Sequence, residues 1–500
     1  MTRHFNNFIA SGTILFACAL AACRGADFYV ATDGSDANPG TDALPFQTVQ
    51  KGCDAASAGS TIFVKAGVYQ ERVTIAKSGN ASDGFITLRN FATDAAILDG
   101  TGLSAPEGAS ALILIADQNY LRVQGLEIHN YSTATKNNLV AGIYASGLCD
   151  HLEFRNCHVH HIANNAVIDI GGLGRDAHGI AAYGTTALTN IVIDGCEVDH
   201  CTLGSSESMT LNGNVDGFQI TNNLVHDNDN IGIVMIGWEK TAKTNDQTRN
   251  GVVQNNTVFN INSKGNPAYG NESSAAGIYV DGGRDIVIER NRVYQNDYGF
   301  EIGVEHRGKT ASGVIVRDNI AYNNLVAGLA FGGYDVKRGT TLNSQFLNNT
   351  FFHNDTTNSG TGEINVQVSK NNVFKNNIVM ASDQNILITN PFAKAKSKGN
   401  IFDYNLYFCP GGASGSNWNW NKKGYSGFDS YRTESKQDAH SIFADPLFVS
   451  TGSPPDLRLQ TGSPAIDAGD PTITPAPGET DFSGNLRSNG TAVDLGAFEK

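Results

Sequence analysis

Four short alternating runs place carboxylates and a phenol where they can act together: Gly232-Ile-Val-Met-Ile236, Gly277-Ile-Tyr-Val-Asp281, Gly299-Phe-Glu-Ile-Gly303 and Gly328-Leu-Ala-Phe-Gly332. Side chains of a strand alternate between two faces, so Ile233, Ile278, Phe300 and Leu329 share one side and Val234, Tyr279, Asp281, Glu301 and Ala330 the other. If the runs stack as neighbours, the apolar side must turn inward, leaving Tyr279, Asp281 and Glu301 on rungs about 4.8 Å apart. Glu301 then stands beside Tyr279 and diagonally from Asp281, at roughly 7–8 Å between β-carbons. Two carboxylates so placed can divide acid and base work, and their oxygens are hard ligands suited to calcium.

Polar stretches next to these runs add Trp238, Glu239, Glu305, His306, Arg307 and Lys309. Ordinary solvated loops would supply a similar list. What favours a site is that the charges coincide with extra chain at residues 237–250, 262–275 and 303–312, because loops on a rigid scaffold are where sites are built.

The scaffold itself is legible as a repeat. Asn291, Asn319, Asn349 and Asn377 open similar phrases spaced by 28, 30 and 28 residues, whereas the intervals Asn223 to Asn256 and Asn256 to Asn291 stretch to 33 and 35. A period near 28 means one structural unit stacked on itself. Within each unit, runs such as Asp285-Ile-Val-Ile-Glu-Arg290 and Gly313-Val-Ile-Val-Arg317 alternate apolar and polar residues, the period of a strand. Three such runs per unit predict an all-β parallel β-helix with three strands per coil. The recurring Asn suits the bend between strands, through left-handed backbone angles and amide bonding to the Asn one rung away.

Composition agrees with a single solenoid: 55 Gly and only 4 Met among 500 residues favour turn-dense β structure over long helices. A net charge of −14 argues against nucleic acid as partner, since phosphate binding needs a basic face. Residues 1–22 read as a signal peptide ending in Leu20-Ala-Ala-Cys23, similar to the lipobox of bacterial lipoproteins, with plain secretion as the alternative. Either reading exports the chain, and the first anchors it to an outer membrane or cell surface through a lipid on Cys23. Cys149 with Cys157 and Cys196 with Cys201 are then either disulfides or buried small hydrophobes. Residues 23–60, with a short helix inside 45–58, are expected to cap the solenoid, residues 61–440 to form it, and residues 441–500 to pack on its end. A monomer is the default for such a solenoid.

The opening phrase Tyr29-Val-Ala, Gly34-Ser-Asp-Ala-Asn-Pro-Gly-Thr41, Pro45-Phe-Gln-Thr48 and Thr61-Ile-Phe-Val64 resembles the start of secreted right-handed parallel β-helix proteins of the pectin-lyase-like group. Family 9 pectate lyases share it, as do some epimerases and glycosidases. The resemblance implies a polysaccharide substrate, but fold alone does not fix function. Family 9 lyases hold calcium with closely spaced aspartates followed by a lysine on a strand. Here the nearest run is Asp227-Asn-Asp-Asn230, and the aligned strands carry Tyr279 and Glu301 but no lysine.

Three functions are therefore open. The leading expectation is a lyase cleaving a uronic-acid polymer by β-elimination, with calcium on Glu239, Asp281, Glu301 and Glu305, Lys309 or His306 as base, and Arg307 gripping the sugar acid. A glycoside hydrolase using Asp281 and Glu301 is the alternative. A non-catalytic glycan-binding surface protein is the third, with Tyr279, Tyr298 and Trp238 stacking on sugar rings. His178, just ahead of an aligned strand, is expected in the same groove. Upstream, His158 and His160 flank Val159 and so point to one side; with His161, His178, His200, His226, Asp176 and Asp199 they read either as a transition-metal site or as histidines stacked in turns.

Overall fold

The structure is a computed structural model describing residues 25–487 and 489–500, so Cys23 and the leader lie outside the described residues. Within the coils, strands pair in parallel with their counterparts one coil later, in three columns. One column runs through Ile233–Ile236, Ala276–Asp281, Tyr298–Gly303 and Ala327–Gly332. A second runs through Arg249–Gln254, Arg284–Glu289, Ile315–Arg317 and Gln345–Leu347. The third, Thr257–Phe259, Arg292–Tyr294, Ile320–Tyr322 and their equivalents, forms a separate 13-stranded sheet. Upstream, the first two columns fuse into long strands at Leu139–Arg155 and Asp176–Asp194.

Alternation sets the core. Ile278, Val280, Phe300, Ile302, Leu329 and Phe331 point inward and are fully buried. Aromatic rings stack between coils inside, as in Phe374 on Phe402 with centroids 4.7 Å apart. Apolar burial of this kind is the main favourable term holding the coils together.

The Asn repeat forms a continuous internal ladder. Asn223, Asn256, Asn291, Asn319, Asn349 and Asn377 each donate from Nδ2 to Oδ1 of the next, at 2.9–3.1 Å, and the ladder ends at Asn405. Each Oδ1 also accepts the backbone N–H of the preceding rung, for example Asn319 N–H to Asn349 at 3.1 Å. The left-handed residue at the bend is not the ladder Asn but its predecessor: Asn222, Asn255, Arg290, Asp318, Asn348, Asn376 and Tyr404 have φ of 54–58°. Bending one residue early turns the ladder amide inward, where it satisfies backbone groups that the bend would strand.

Cys196 continues this ladder upstream, its N–H donating to Asn223 Oδ1 at 2.8 Å. The six cysteines among the described residues are all free and buried, which selects the small-hydrophobe reading over disulfides.

Both open ends are covered, as unpaired strand edges require. At the N-terminal end the helix is Val49–Ala55, shorter than the expected span because Thr48 caps it and accepts from Lys51 N–H. Asp27–Val30 already pairs with Thr61–Val64, so part of the expected cap is itself a rung. At the other end Phe428–Ser435 and the hairpin Asn417–Trp420 with Lys423–Ser426 close the core with Trp418, Trp420 and Tyr431. The final segment lies along the flank rather than over the end: Phe448, Leu457, Leu459, Leu495 and Phe498 pack on Ile320, Tyr322, Phe352, Ile378 and Leu406. Arg487 locks it there, buried at 1% exposure against Asp318 and Glu499.

Candidate active site

The register places Tyr279 opposite Glu301, and Asp281 opposite Gly303. Glycine is needed at 303 because a β-carbon there would meet Gly332 O at 2.9 Å and Tyr279 Cε2 at 3.5 Å. Inserted loops rise on both sides and turn this outward face into a cleft. One end, ≈ 390 Å³, is lined by Glu207, Val234, Glu239, Tyr269, Tyr279, Asp281, Glu305 and Tyr334 among others. The other, ≈ 350 Å³, is lined by Tyr298, Glu301 and Gln367 and shares Tyr269, Tyr279, Glu305 and Tyr334 with the first.

Five carboxylates thus face one cleft. Glu301 is half-buried on its strand, and no hydrogen bond from the described residues holds its carboxyl. Burial, reinforced by the charge of Glu305, raises it to about 8, so at neutral pH it keeps its proton. Asp281 is buried and also raised well above the carboxylate range, by desolvation and by Glu305. Its Oδ1 accepts the Glu305 backbone N–H at 3.0 Å, which ties that loop to the sheet. Glu305 stands in the cleft mouth, open to water yet ringed by protein. That enclosure pushes its carboxyl upward while Arg338 pulls it back toward ionisation. Arg338 also stacks on the Tyr334 ring, with the guanidinium 4.5 Å from the centroid. Glu207 is raised by burial and by Glu239, and accepts from Thr210 at 3.0 Å. Glu239 is anchored by Asn212 Nδ2 at 3.1 Å.

Other expected members lie elsewhere. Lys309 is exposed outside the cleft lining, with its ammonium 4.3 Å from the Trp238 ring centroid. Trp238 is held by that cation and by donation of Nε1 to Thr310 O at 3.0 Å, so its ring does not front the cleft. Arg307 is exposed on the same loop and His306 half-buried there, its Nε2 without a partner among the described residues; neither lines the cleft. His178 is fully buried behind the cleft wall, with Nδ1 at 2.9 Å from Glu207 O and Nε2 at 3.1 Å from the Tyr183 hydroxyl. Burial lowers it to about 4, so it is a neutral brace for the Glu207 turn rather than a groove residue.

The expected calcium set does not assemble. A cation about 2.4 Å from each oxygen needs ligand atoms within about 4.8 Å of one another. Among the described residues, the groups that meet this spacing lie elsewhere, so no three of Glu239, Asp281, Glu301 and Glu305 do. The Asp227 run is also committed to structure: Asp229 Oδ1 accepts Leu203 N–H at 2.6 Å, and Asp227 bonds His226 and Asn260.

Sequence reasoning missed Glu207, Tyr269, Tyr334 and Arg338. Glu207 was within reach, because Met209–Thr221 is one more rung of the same column and Glu207 sits just ahead of it. The other three come from loops with no periodic signal.

Residues 28–178 match the family profile of the Pel9A-like right handed beta helix region, and residues 107–351 that of the right handed beta helix region. The chain is 42% identical over 439 residues to YwoF of Bacillus subtilis, an uncharacterized protein, across 87% of this chain and 91% of that one. A stretch of 134 residues, 26% of this chain and 32% of the relative, is 36% identical to pectate lyase PEL9 of Emericella nidulans, so that match spans about a third of the fungal protein. Among solved structures, the A-module of the mannuronan C-5 epimerase AlgE6 of Azotobacter vinelandii superposes with a TM-score of 0.50 at 13% identity, over 77% of this chain and 91% of that one. With parallel coils, capped ends and these matches together, the chain belongs to the right-handed parallel β-helix proteins of the pectin-lyase-like superfamily, in one family with YwoF.

Proposed function

We propose that this protein cleaves glycosidic bonds of a polysaccharide, and that it does so by hydrolysis with Glu301 as general acid. The observation that carries this reading is the state of Glu301, a carboxyl raised to about 8, facing the cleft and free of hydrogen bonds from the described residues. A proton held there at neutral pH is available to a leaving glycosidic oxygen, which is the work of the acid in glycoside hydrolysis. Glu305 supplies the second carboxylate. Arg338 favours its charged form, and that same charge keeps Glu301 protonated. Burial raises both carboxyls, but Arg338 opposes the rise at Glu305 while Glu305 adds to it at Glu301, which suits the two to different tasks. Tyr269, Tyr279, Tyr298 and Tyr334 offer ring faces and hydroxyls along the cleft, the mixed surface a sugar ring recognises.

β-Elimination is the second reading, favoured by the 36% identical stretch shared with a pectate lyase. It requires positive charge against the uronate and an ionised base. The cleft gathers five carboxylates, and Glu301 becomes a base only above about pH 8. Screening the purified protein on pectate, alginate, glycosaminoglycans and neutral plant glycans separates the readings. Hydrolysis releases reducing ends without ultraviolet absorbance; elimination creates an unsaturated, absorbing end. Retention of glycan with no product on any polymer overturns both.

A further inference from the structure

The third sheet carries a second constellation, away from the carboxylate cleft. Three strands, Glu127–His129, His158–His160 and Glu197–Asp199, pair in register, so that Glu127, His158 and Glu197 align in one row and His129, His160 and Asp199 in the next. Ile128, Val159 and Val198 between them are buried, which forces both rows outward. Imidazoles and carboxylates thus share two adjacent rows on one face.

Two sets of three on this face bring ligand atoms within 4.8 Å: Glu127 with His129 and His160, and His158 with Glu197 and Asp199. They differ in kind. In the second, His158 Nε2 lies 2.6 Å from Asp199 Oδ2, and Asp199 is also bonded by His200, so the donors are consumed in direct hydrogen bonds. In the first the contacts are longer: His160 Nε2 meets Glu127 Oε1 in a 3.3 Å hydrogen bond, and His129 Nδ1 lies 3.4 Å from the same oxygen. Zinc bound tetrahedrally at about 2.0–2.1 Å sets its ligand atoms about 3.3–3.4 Å apart. Two edges of the set already have that length.

The outer nitrogens of both imidazoles supply an independent observation. His129 Nε2 is 3.6 Å from Asp99 Oδ1, and Asp99 is itself fixed by Thr101 and Asn130. His160 Nδ1 is 2.6 Å from His161 Nδ1. Ligating histidines are characteristically oriented as His160 is, with the far nitrogen hydrogen-bonded to a polar group and the near one aimed at the metal, while Asp99 stands at ion-pair distance behind His129. Both rings are mostly shielded, at 17% and 14% side-chain exposure, while Glu127 at 35% leaves the site open to solvent.

We propose that Glu127, His129 and His160 bind one divalent transition-metal ion of the zinc class, with a fourth tetrahedral position left to water and Asp99 and His161 as outer supports. The ion joins two neighbouring coils, since Glu127 and His129 lie on one strand and His160 on the next.

The test is titration of metal-stripped full-length protein with zinc chloride, followed by calorimetry and by competition with a chromophoric chelator. One equivalent is expected, with the zinc-loaded protein melting higher than the stripped one, because binding to the folded state alone stabilises it. Calcium chloride is expected to give neither signal. His129→Ala and His160→Ala should each abolish that equivalent while the stripped variants melt with wild type. Glu127→Gln, which keeps shape, serves where an Ala variant does not fold and should also lose the equivalent. Asp99→Asn should weaken binding by roughly 10–100-fold. Absence of zinc uptake, or uptake unchanged in the His129 and His160 variants or in Glu127→Gln, overturns the assignment, and neither result bears on the glycan cleft.

Discussion

Glu305 donates its backbone N–H to Asp281 while its own carboxylate raises the proton affinity of Glu301, so one loop residue couples the two strand carboxyls. The strand rungs and the inserted loop are therefore one electrostatic unit. Its behaviour can be read through pH.

If Glu301 is the general acid, turnover declines as pH rises through about 8, where its proton is lost. If it acts as the base of an elimination, turnover rises through the same pH. Initial rates on the active polymer, taken from about pH 5 to about pH 10, distinguish the two. Glu301→Gln should lower kcat by about 100-fold or more in either case. Retained activity in a folded variant removes Glu301 from the chemistry.

The same group makes stability depend on pH with a fixed sign. Its folded-state value, about 8, lies above the ordinary 4.5, so between them the folded protein holds a proton that the unfolded chain has released. Stability therefore falls as pH rises across that window. Glu301→Gln has no such proton to lose, and its Tm should drop less than wild type between about pH 5 and about pH 8. Calorimetric melting of both proteins across the window checks the sign.

Asn319 sits mid-ladder, donating to Ile288 O, Arg317 O and Asn349 Oδ1 and accepting from Asn291. Asn319→Ala strands buried donors and acceptors on both neighbouring coils, each worth about 1–3 kcal/mol. Urea denaturation should show a loss of at least about 2 kcal/mol.

Arg487 is the buried cation between Asp318 and Glu499. Burial lifts Asp318 to about 6 even with Arg487 beside it. Arg487→Met leaves two buried acids without a counter-charge and should destabilise by about 3–5 kcal/mol. Limited proteolysis should then release the flank segment first. Arg487→Met with Asp318→Asn should recover part of the loss, because the buried charge left by Arg487→Met is removed while Asn still accepts the left-handed angle at that position.

How much was legible depends on whether a residue lies on a strand or a loop. The alignment of Gly232, Gly277, Gly299 and Gly328 gave the correct register, and with it the pairing of Tyr279 with Glu301 and the inward set from Ile233 to Leu329. The Asn spacing likewise identified a structural ladder, though not that the left-handed angle falls one residue earlier. Both follow from backbone geometry alone, since a period of two and a fixed rung spacing leave a strand side chain only one place to point.

Loops obey no such period. Lys309 and His306 share a segment with Glu305, yet only Glu305 enters the cleft, because its N–H is claimed by Asp281 while Lys309 settles on Trp238. Tyr334 reaches the same cleft from the next coil, with Arg338 stacked on its ring and acting on Glu305, and Glu207 from an earlier one. The sequence by itself determined the coil, its core and the two strand carboxyls. Tertiary packing decided which loop groups surround them, and so which protons they hold, because desolvation and charge coupling depend on distances between coils that no local pattern encodes.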